Sequence, residues 1–590
     1  MKIRLIDPAL KARDQQQHTK KEIKSFWFPH LSLTMIAGLT PDEHDVQITD
    51  ENVDEIDFEE EVDLVGITGM TIHAPRAYEI AKRFRKRGVP VVMGGIHASN
   101  LPQEASHHVD SVVIGEAETL WGKVLEDTRK GALKPFYKAK NLCSLKGIPQ
   151  PRQDLLKKKA YMTTNCVQTT RGCPFDCSFC SVTQFFGQRY RFRPVEDVVE
   201  EVKKYSGGFV AFVDDNIAGN FGHAKKLFNA LKPLNIKWGS QASLTMARDE
   251  ELLALAAESG CIAMFVGIES LSQTNLSMLN KSINKVTEYS EAIKKFHDHG
   301  IMINGSFMFG LEHDDESVFE KTARFIEDNK IELVTYNILT PLPGTRFYQQ
   351  MEKESRITDR DWTKYNSGNV VFKPKLMSAE TLQNGYHWAA KRTYSYRSIL
   401  KRVCFTDSHF FSRVLLNLGY RGLAKQVPKG KLSSLAKFLK KLNASISVKE
   451  INNLVPTIQG SYKKDTLSSM IAGAEKYLNI NTIKNELAQT FIIKLEGSLD
   501  IRAAKKLIKR VKHLINKGQE KIILDFSGIK YFSPKAVNML VLTNYDFLNR
   551  LKGRIKFVKL NEQIAGMMEN LKNFIFDWEI LDDELNMLIN

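Results

Sequence analysis

The sequence predicts an α/β protein built from several domains, and three observations carry this prediction. Its 590 residues exceed what one hydrophobic core supports. Strand-like and helix-like stretches alternate over residues 1–145, 155–365 and 487–590, a pattern typical of parallel sheets covered by helices. Residues 366–480 instead favour helix and are strongly basic. We therefore expect four domains with these boundaries.

The first region predicts a doubly wound parallel sheet. Its candidate strands are KIRLID, DLVGITGM, VPVVMGG and SVVIGE. PRAYEIAKRFRKRG has the periodicity of a helix and ends at Gly88, a residue suited to a helix C-terminus. Ligands of such sheets lie at the carboxyl ends of the strands, where glycine permits close approach. The expected ligand-binding residues at these ends are Thr68, Gly69, Gly94, Gly95, Gly115 and Glu116.

The second region repeats the strand–helix alternation six times. Its candidate strands are NCVQTT, GFVAFVDD, IKWGSQASL, IAMFVGIES, MINGSFMFG and LVTYNILT. Six such units predict an open, partial (βα)6 barrel rather than a closed barrel of eight units. Functional side chains are expected at the carboxyl ends of its strands.

A cysteine array follows the first barrel strand. TTRGCPFDCSFCSV places Cys173, Cys177 and Cys180 in a C-x3-C-x2-C pattern. Soft thiolates this close together favour an iron–sulfur cluster, and three ligands would leave one iron of a cubane open to a substrate. A structural zinc site is the alternative, but zinc requires a fourth ligand, and the nearest downstream histidine is His223. The other cysteines are expected to be ordinary buried thiols: Cys143, Cys166, Cys261 and Cys404.

The array and the strands around it resemble the radical S-adenosylmethionine (SAM) superfamily. The resemblance implies a 4Fe-4S cluster on the three cysteines, with SAM bound to the open iron and cleaved to a 5′-deoxyadenosyl radical. The matching strings run in the family's order from the cysteines to PLPGT, residues 341–345. Implied SAM contacts come from an aromatic beside the adenine and from the FVDDN, QAS, GIES and fifth-strand ends: Phe179, Asp214, Asp215, Asn216, Gln241, Ser243, Glu269 and Gly310.

Residues 1–145 resemble the Rossmann-like cobalamin-binding domain that precedes the barrel in one branch of this superfamily. DLVGITGM, VVMGGIHASNLPQEA and DSVVIGEAE carry the resemblance. A doubly wound domain with another ligand, or none, is the alternative. Many cobalamin domains carry D-x-H-x-x-G, whose histidine ligates cobalt. The nearest match, at residues 42–47, lacks the glycine, so we expect His44 to be a solvated loop residue and no histidine on cobalt. A methylthiotransferase would need cysteines in this domain, and residues 1–142 contain none.

The basic charge is concentrated in residues 391–449. That window holds 14 Lys and Arg against one acid, Asp407, a net +13 of the chain's +16. Within it, residues 429–443 form an amphipathic helix pattern, with leucines and Phe438 opposite a lysine face formed by Lys437, Lys440 and Lys441. Such a helix either packs on the protein or lies on an anionic membrane, and the sequence leaves both open. No nucleic-acid partner is expected, because the window shows no recognition motif.

Residues 487–590 resemble a STAS domain through LEGSLDIRAAKKL and IILDFSGIKYFSPKAVNMLV. In phosphoregulated members, a serine at the start of the second helix accepts phosphate. Pro534 occupies that position here. The resemblance therefore implies a STAS-like docking domain for a protein partner, without that switch.

Together, these resemblances imply a cobalamin-dependent radical SAM methyltransferase that acts on an unactivated carbon, similar in layout to hopanoid and bacteriochlorophyll methylases. We expect a hydrophobic, membrane-derived small-molecule substrate and a reductant such as flavodoxin or ferredoxin. One alternative is a cobalamin-dependent radical cyclase that transfers no methyl group. Another is a redox- or light-sensing regulatory protein that acts through the STAS domain. The sequence shows neither a signal peptide nor ~18 consecutive apolar residues, so we expect a cytoplasmic protein, with membrane association left open.

Overall fold

The computed structural model describes residues 1–10, 28–403, 413, 416–417, 419–421, 479–485, 490–499, 506–507, 509–511, 513–514, 521–532 and 555–558. The chain divides into two compact units, Met1–Val448 and Lys449–Asn590, and each is described by itself. The basic helix pattern of residues 429–443, Cys404 and Pro534 lie outside the described residues. Within the described ranges, no helix combines the length and apolar composition needed to cross a bilayer.

Six parallel strands form the first sheet of unit one and confirm the doubly wound prediction. They are β1 (Lys2–Asp7), β2 (Asp45–Asp50), β3 (Leu64–Thr68), β4 (Val91–Gly94), β5 (Ser111–Ile114) and β6 (Phe136–Lys138). Their order is β2-β1-β3-β4-β5-β6, so the direction of winding reverses between β1 and β3. The sequence patterns missed the two edge strands β2 and β6. Edge strands are not buried on all sides, so they lack the continuous apolar run of a central parallel strand.

Helices cover both faces of this sheet. They are α1 (Leu31–Leu39), α2 (Ala74–Lys86), α3 (Ile96–Asn100), α4 (Pro102–Ser106) and α5 (Trp121–Arg129). On one face, α2 buries Ile80 and Phe84 against the strands. On the other face, α1 and α5 bury Leu33 and Trp121. The result is a three-layer domain with its ligand edge at the carboxyl ends of the strands.

A second parallel sheet confirms the partial (βα)6 barrel. Its strands are β7 (Cys166–Val167), β10 (Phe209–Phe212), β11 (Lys237–Ala242), β12 (Cys261–Glu269), β13 (Met302–Phe309) and β14 (Leu333–Ile338). They pair in chain order, all parallel. A short antiparallel pair, β8 (Thr170–Arg171) and β9 (Arg191–Phe192), follows the first of them.

Helices alternate with the barrel strands and bury its core. They are α6 (Ser181–Phe186), α7 (Val195–Lys203), α8 (Phe221–Leu231), α9 (Glu250–Glu258), α10 (Gln273–Met278), α11 (Tyr289–Asp298) and α12 (Ser317–Asp328). Phe228, Trp238, Phe296 and Phe309 are fully buried between helices and strands. Three helices follow the barrel: α13 (Arg346–Lys353), α14 (Ala379–Thr393) and α15 (Tyr396–Val403). The last two confirm, as far as the described residues extend, that the chain becomes helical after 366.

The second unit contains a four-stranded mixed sheet. Its strands are β15 (Asn479–Asn485), β16 (Thr490–Leu499), β17 (Lys521–Phe532) and β18 (Ile555–Val558). The first pair is antiparallel and the others are parallel. The sequence predicted β16, β17 and β18. The sheet has one more strand, β15, which precedes the expected start of this α/β region at residue 487.

Candidate cluster and cofactor site

The three cysteines of the array lie in the loop between β8 and α6, and Cys180 is the residue that precedes α6. All three are free and partly exposed. Among the described residues, one group of three possible ligand atoms lies within 4.8 Å of one another, and it is formed elsewhere, by Glu116, Glu118 and Cys143. The array offers three thiols, whereas a structural zinc ion takes four protein ligands, so its donor set favours an iron–sulfur cluster over one zinc ion.

Contacts from distant segments hold this loop in place. Gly172 has φ +82°, and a Cβ there would lie 2.8 Å from the carbonyl oxygen of Arg189, so only glycine fits. Arg346, at the start of α13, donates from Nη1 to Oδ2 of Asp176 at 2.7 Å and from Nη2 to its carbonyl at 2.6 Å. Asn280 donates to the same carbonyl at 2.7 Å. The loop is therefore clamped at both its start and its middle.

The surroundings of the thiols fit iron ligation. Burial raises the pKa of all three cysteines, that of Cys177 to about 12. A buried thiol keeps its proton until a metal ion replaces it, as iron does when a cluster binds. Asn216 donates to Sγ of Cys173 at 3.9 Å. The three sulfurs thus offer soft donors in a site that disfavours free thiolates.

Two carboxylates follow β10 beside the array. Asp214 is fully buried, and its Oδ1 accepts from the backbone and hydroxyl of Thr169, at 2.9 and 3.0 Å, and from the hydroxyl of Thr170, at 2.6 Å. Burial raises the pKa of Asp214 to about 6, and burial with the neighbouring Asp214 charge raises that of Asp215 to about 7. Oδ2 of Asp214 and Oδ1 of Asn216 are buried without a hydrogen-bond partner. Such atoms fit a polar ligand that would satisfy them, as the amino group of SAM would.

Glu269 ends β12 in an unusual conformation. Its φ is +67°, and the register between β12 and β13 shifts at this point. The carboxylate folds back over Gly267, where a Cβ would lie 2.4 Å from Oε1 of Glu269. Lys281 donates to that oxygen at 2.6 Å. A strained backbone held by a buried ion pair is typical of a functional position.

The remaining barrel residues expected to contact SAM lie at the same carboxyl edge, in varied surroundings. Phe179 is partly buried against the barrel core, and Gln241 is exposed near the end of β11. Ser243 is buried, and its hydroxyl caps the short 3-10 turn that follows. Gly310 has φ +89°, and a Cβ there would lie 2.7 Å from Leu382 on α14. Packing against α14 is therefore enough to explain the glycine at this position, and its contact with SAM stays a prediction.

The carboxyl edge of the first sheet forms a glycine-lined cradle. Gly95, after β4, has φ +91°, and a Cβ there would lie 2.9 Å from Oγ1 of Thr68 and 3.1 Å from the backbone of Gly69. Gly94 precedes it at the end of β4. Gly115, after β5, has φ +85° and faces open space. Because these glycines have no side chains, a large planar ligand such as a corrin ring can approach the backbone closely.

Glu116, also expected at the ligand, is instead saturated by protein donors. Its buried carboxylate accepts from Arg171 and Arg191 and from the backbone N–H of Cys143. Burial opposes its ionisation, but the arginines outweigh burial and hold the pKa of Glu116 below its usual value. Both oxygens of the Glu116 carboxylate are therefore hydrogen-bonded to the protein, and Glu116 would contribute to cofactor binding by holding neighbouring residues in position.

His44 does not lie at the ligand edge. It precedes β2, at the amino ends of the strands, and its Nδ1 is 3.3 Å from the amino group of Met1. The expectation of a solvated ring is wrong, since the side chain is only 9% exposed. The reason is the N-terminus, which begins β1 and packs on the ring. The expectation that His44 does not ligate cobalt stays a prediction that this position supports.

Sequence reasoning missed several polar residues at the same edges. Asp7 ends β1 at the point where winding reverses, its Oδ1 is buried without a partner, and Nδ1 of His30 lies 2.6 Å from Oδ2. Ligands of parallel sheets bind at the strand ends where the winding reverses, so recognition of β2 in the sequence would have identified Asp7. Lys281 and Arg346 have no local signal, because each reaches the cluster loop from a segment over 100 residues away. The three scattered cysteines that the structure describes are buried, as expected: Cys143, Cys166 and Cys261.

Comparison with known proteins identifies these regions. The B12 binding domain profile matches residues 25–124, the radical SAM superfamily profile residues 167–326, a domain of unknown function residues 345–439, and the STAS domain profile residues 479–581. Bacteriochlorophyllide d C-12(1)-methyltransferase of Chlorobaculum tepidum is 32% identical over 386 residues, 63% of this chain and 84% of the relative. Hopanoid C-2 methylase of Rhodopseudomonas palustris is 26% identical over 402 residues, 65% of this chain and 75% of the relative.

A solved structure shares the fold. The radical SAM methyltransferase TsrM from Kitasatospora setae, with cobalamin and a 4Fe-4S cluster bound, superposes with a TM-score of 0.53 at 14% identity, covering 72% of this chain and 99% of that one. The expected cofactors are thus a 4Fe-4S cluster, SAM and cobalamin, and the donors and cradle described above fit them. The chain belongs to the radical SAM superfamily, in its branch of cobalamin-dependent methyltransferases with an amino-terminal B12-binding domain.

Proposed function

We propose that this enzyme transfers a methyl group to an unactivated carbon of a hydrophobic, polycyclic small molecule. The observation that carries the proposal is that a cluster loop and a glycine-lined cradle occur in one compact unit and contact each other through Glu116 and Arg171. Two relatives, which align with 63% and 65% of this chain, are named for methylation of a bacteriochlorophyllide and of a hopanoid. These two names support methyl transfer to an apolar ring compound as the reaction of this chain as well.

The chain's own residues would bind and orient the cofactors. When bound, the cluster with SAM supplies a carbon-centred radical, and cobalamin supplies the methyl group. Cys173, Cys177 and Cys180 would hold the cluster. The unpartnered oxygens of Asp214 and Asn216 would accept from SAM. The cradle at Gly95 and Gly115 would hold the corrin.

The proposal extends to three partners. A low-potential reductant such as flavodoxin or ferredoxin is needed because radical formation consumes an electron. The basic helix pattern of residues 429–443 would place the enzyme on an anionic membrane, where apolar substrates concentrate. The STAS domain would recruit a protein partner without phosphorylation, because proline replaces the acceptor serine at 534.

The test uses anaerobically reconstituted holoenzyme, a chemical reductant, SAM with a deuterated methyl group and an extract of membrane lipids and pigments. We expect a deuterated product, with 5′-deoxyadenosine and S-adenosylhomocysteine both released. The Cys177→Ala variant is the control and should give neither the product nor 5′-deoxyadenosine. A modified product with 5′-deoxyadenosine but no S-adenosylhomocysteine would indicate the cyclase alternative. Absence of SAM cleavage in every extract would favour a sensor.

A further inference from the structure

A buried ion-pair network joins the cobalamin-binding domain to the cluster loop. Oε1 of Glu116 accepts from Nη1 of Arg171 at 2.9 Å and from Nη2 of Arg191 at 3.0 Å. Oε2 accepts from Nη1 of Arg191 and from the backbone N–H of Cys143, both at 2.9 Å. The Glu116 and Arg171 side chains are 2% and 6% exposed. One carboxylate therefore bridges two arginines of the barrel.

The two arginines depend on this bridge. Arg171 and Arg191 are direct register partners in the β8–β9 pair. Like charges that face each other across a strand pair destabilise it, and burial makes uncompensated charges costlier still. Glu116 and Glu118, whose Oε1 is 2.5 Å from Nη1 of Arg171, supply two negative charges for two positive ones. Within the described part of the chain, the ion pairs of these two arginines are thus all made with residues of the other domain.

The network lies between the two cofactor edges. Gly115, the open position of the cradle, immediately precedes Glu116 in the chain. Gly172 and Cys173 immediately follow Arg171, and Cys173 is the first cysteine of the array. The ion pair between Glu116 and Arg171 therefore directly joins the backbone of one cofactor edge to the backbone of the other.

A metal ion is a poor occupant of this place. Ligand atoms of Glu116, Glu118 and Cys143 do lie within 4.8 Å of one another. Both carboxylates are already paired with guanidinium groups, and Nη1 of Arg171 also lies 3.4 Å from Sγ of Cys143. A cation would have to displace or approach two positive charges. The cluster of acids is therefore an ion-pair network.

We propose that Glu116 is a positioning residue that fixes the distance between the iron–sulfur cluster and cobalamin. This inference rests on the proposed function, because it requires both cofactors in one reaction. Radical formation and methyl delivery must reach the same substrate carbon, and misplacement of a reacting group by about 1 Å is enough to cost orders of magnitude in rate. Loss of the Glu116 charge leaves one negative charge, on Glu118, against the two facing arginines beside the cluster loop, so the loop shifts relative to the cradle.

The test compares Glu116→Gln with a matched control, Glu201→Gln, in the holoenzyme. Glu201 and Arg193 form an equally buried ion pair, 2.7 Å apart, but both residues of this pair belong to the barrel region, Glu201 on α7. The readout is the enhancement of cob(II)alamin electron-spin relaxation by the reduced cluster, which depends steeply on their separation. We expect Glu116→Gln to lose much of the parent's enhancement and Glu201→Gln to retain it. Once a substrate is identified, the ratio of 5′-deoxyadenosine released to methyl groups transferred should rise about tenfold in Glu116→Gln and stay unchanged in Glu201→Gln.

Equal relaxation in the parent and in both variants overturns the inference and leaves Glu116 as a structural ion pair. Should Glu116→Gln not fold, Glu116→Asp keeps the charge but shortens the bridge between the two edges by one methylene. The inference then expects a changed relaxation, and an unchanged one overturns it equally. A parent enzyme that binds no cobalamin or no cluster contradicts the proposed function instead. The two failures are therefore distinguishable.

Discussion

Nζ of Lys281 lies 2.6 Å from Oε1 of Glu269, and this buried pair borders the cysteine array. Burial lowers the pKa of Lys281, but the charge and hydrogen bond of Glu269 favour the protonated amine, and the net shift is upward. The lysine therefore stays charged beside the sulfurs. A fixed cation here would offset the negative charge of a thiolate-ligated cluster and keep Glu269 aimed over Gly267.

Replacing Lys281 with Met should impair cluster and SAM binding. The change leaves the buried carboxylate of Glu269 without its partner, and breaking a buried pair in this way costs about 3–5 kcal/mol locally. We expect SAM affinity to fall about tenfold or more, measured by equilibrium binding to the reconstituted enzyme. Lys285→Met, four residues away at an exposed position, is the control. Equal affinities in the two variants would contradict a role for Lys281.

Each cysteine of the array should be required for the cluster. The parent should hold about four irons and four sulfides after reconstitution and release 5′-deoxyadenosine when reduced with SAM. Cys173→Ala, Cys177→Ala and Cys180→Ala should each abolish that release. The control is Cys261→Ala, which removes a buried thiol from β12. Retained SAM cleavage in Cys177→Ala would remove the basis for the cluster assignment.

Gly95→Ala should weaken cobalamin binding. Its Cβ would lie 2.9 Å from Thr68 and 3.1 Å from Gly69, so the cradle has to open. We expect cobalamin retention to fall about tenfold, since about 1.4 kcal/mol of strain suffices for that change. Gel filtration of the enzyme with hydroxocobalamin, followed by its absorbance, measures this.

Two control variants belong to that experiment. Gly88→Ala has a similar positive φ, +77°, but its Cβ meets nothing within 4 Å, so it reports backbone strain alone. His44→Ala should leave the base-off spectrum unchanged, because His44 lies at the opposite edge of the sheet. A spectrum that depends on His44 would overturn this assignment of the ligand edge.

Stability should fall between about pH 6.5 and pH 9 through His30. Asp7, by charge and hydrogen bond, raises the pKa of His30 to about 9, with Asp50 adding to it and burial opposing it. His73 and Tyr161 are further titratable groups near this pair. Because the folded pKa exceeds the unfolded value of about 6.5, the stabilisation is complete below pH 6.5 and is lost as pH rises through 9.

The size of that effect is limited by solvent. The His30 ring is 45% exposed, so screening leaves at most about 1 kcal/mol. Thermal unfolding of the parent and of His30→Gln across this pH range should show a slope that the variant lacks. His107→Gln, at an exposed position of the same domain, should keep the parent's slope. Parallel curves for the parent and His30→Gln would contradict the prediction.

The basic helix pattern should bind anionic membranes. Co-sedimentation should be strong with anionic vesicles and weak with neutral ones, and salt should weaken it because charges are screened within ~8 Å at physiological ionic strength. Changing Lys437, Lys440 and Lys441 to Glu should release the protein while SAM cleavage is retained. Sedimentation of the triple variant like the parent would show that these lysines form only a solvated face.

The sequence by itself determined the domain plan and the chemistry of the array. The three cysteines lie within eight residues, and the strand–helix alternation of the barrel repeats six times along the chain, so short-range patterns contain both. The edge strands β2 and β6 escaped because their residues are partly polar and solvated. The added strand β15 similarly precedes the region in which the α/β pattern was recognised.

Only the tertiary structure decided how the site is held. Glu116 meets Arg171 and Arg191 across 55 and 75 residues, and Arg346 meets Asp176 across 170. No local periodicity or motif reveals such pairs, because they form only when segments that are far apart in the chain converge at one edge of the fold. Glu116 shows the consequence: its place at a strand end predicted a ligand contact, whereas burial between two facing arginines makes it a bridge. A strand-end pattern locates a side chain at the site, but the charges that the fold brings around it determine what it does.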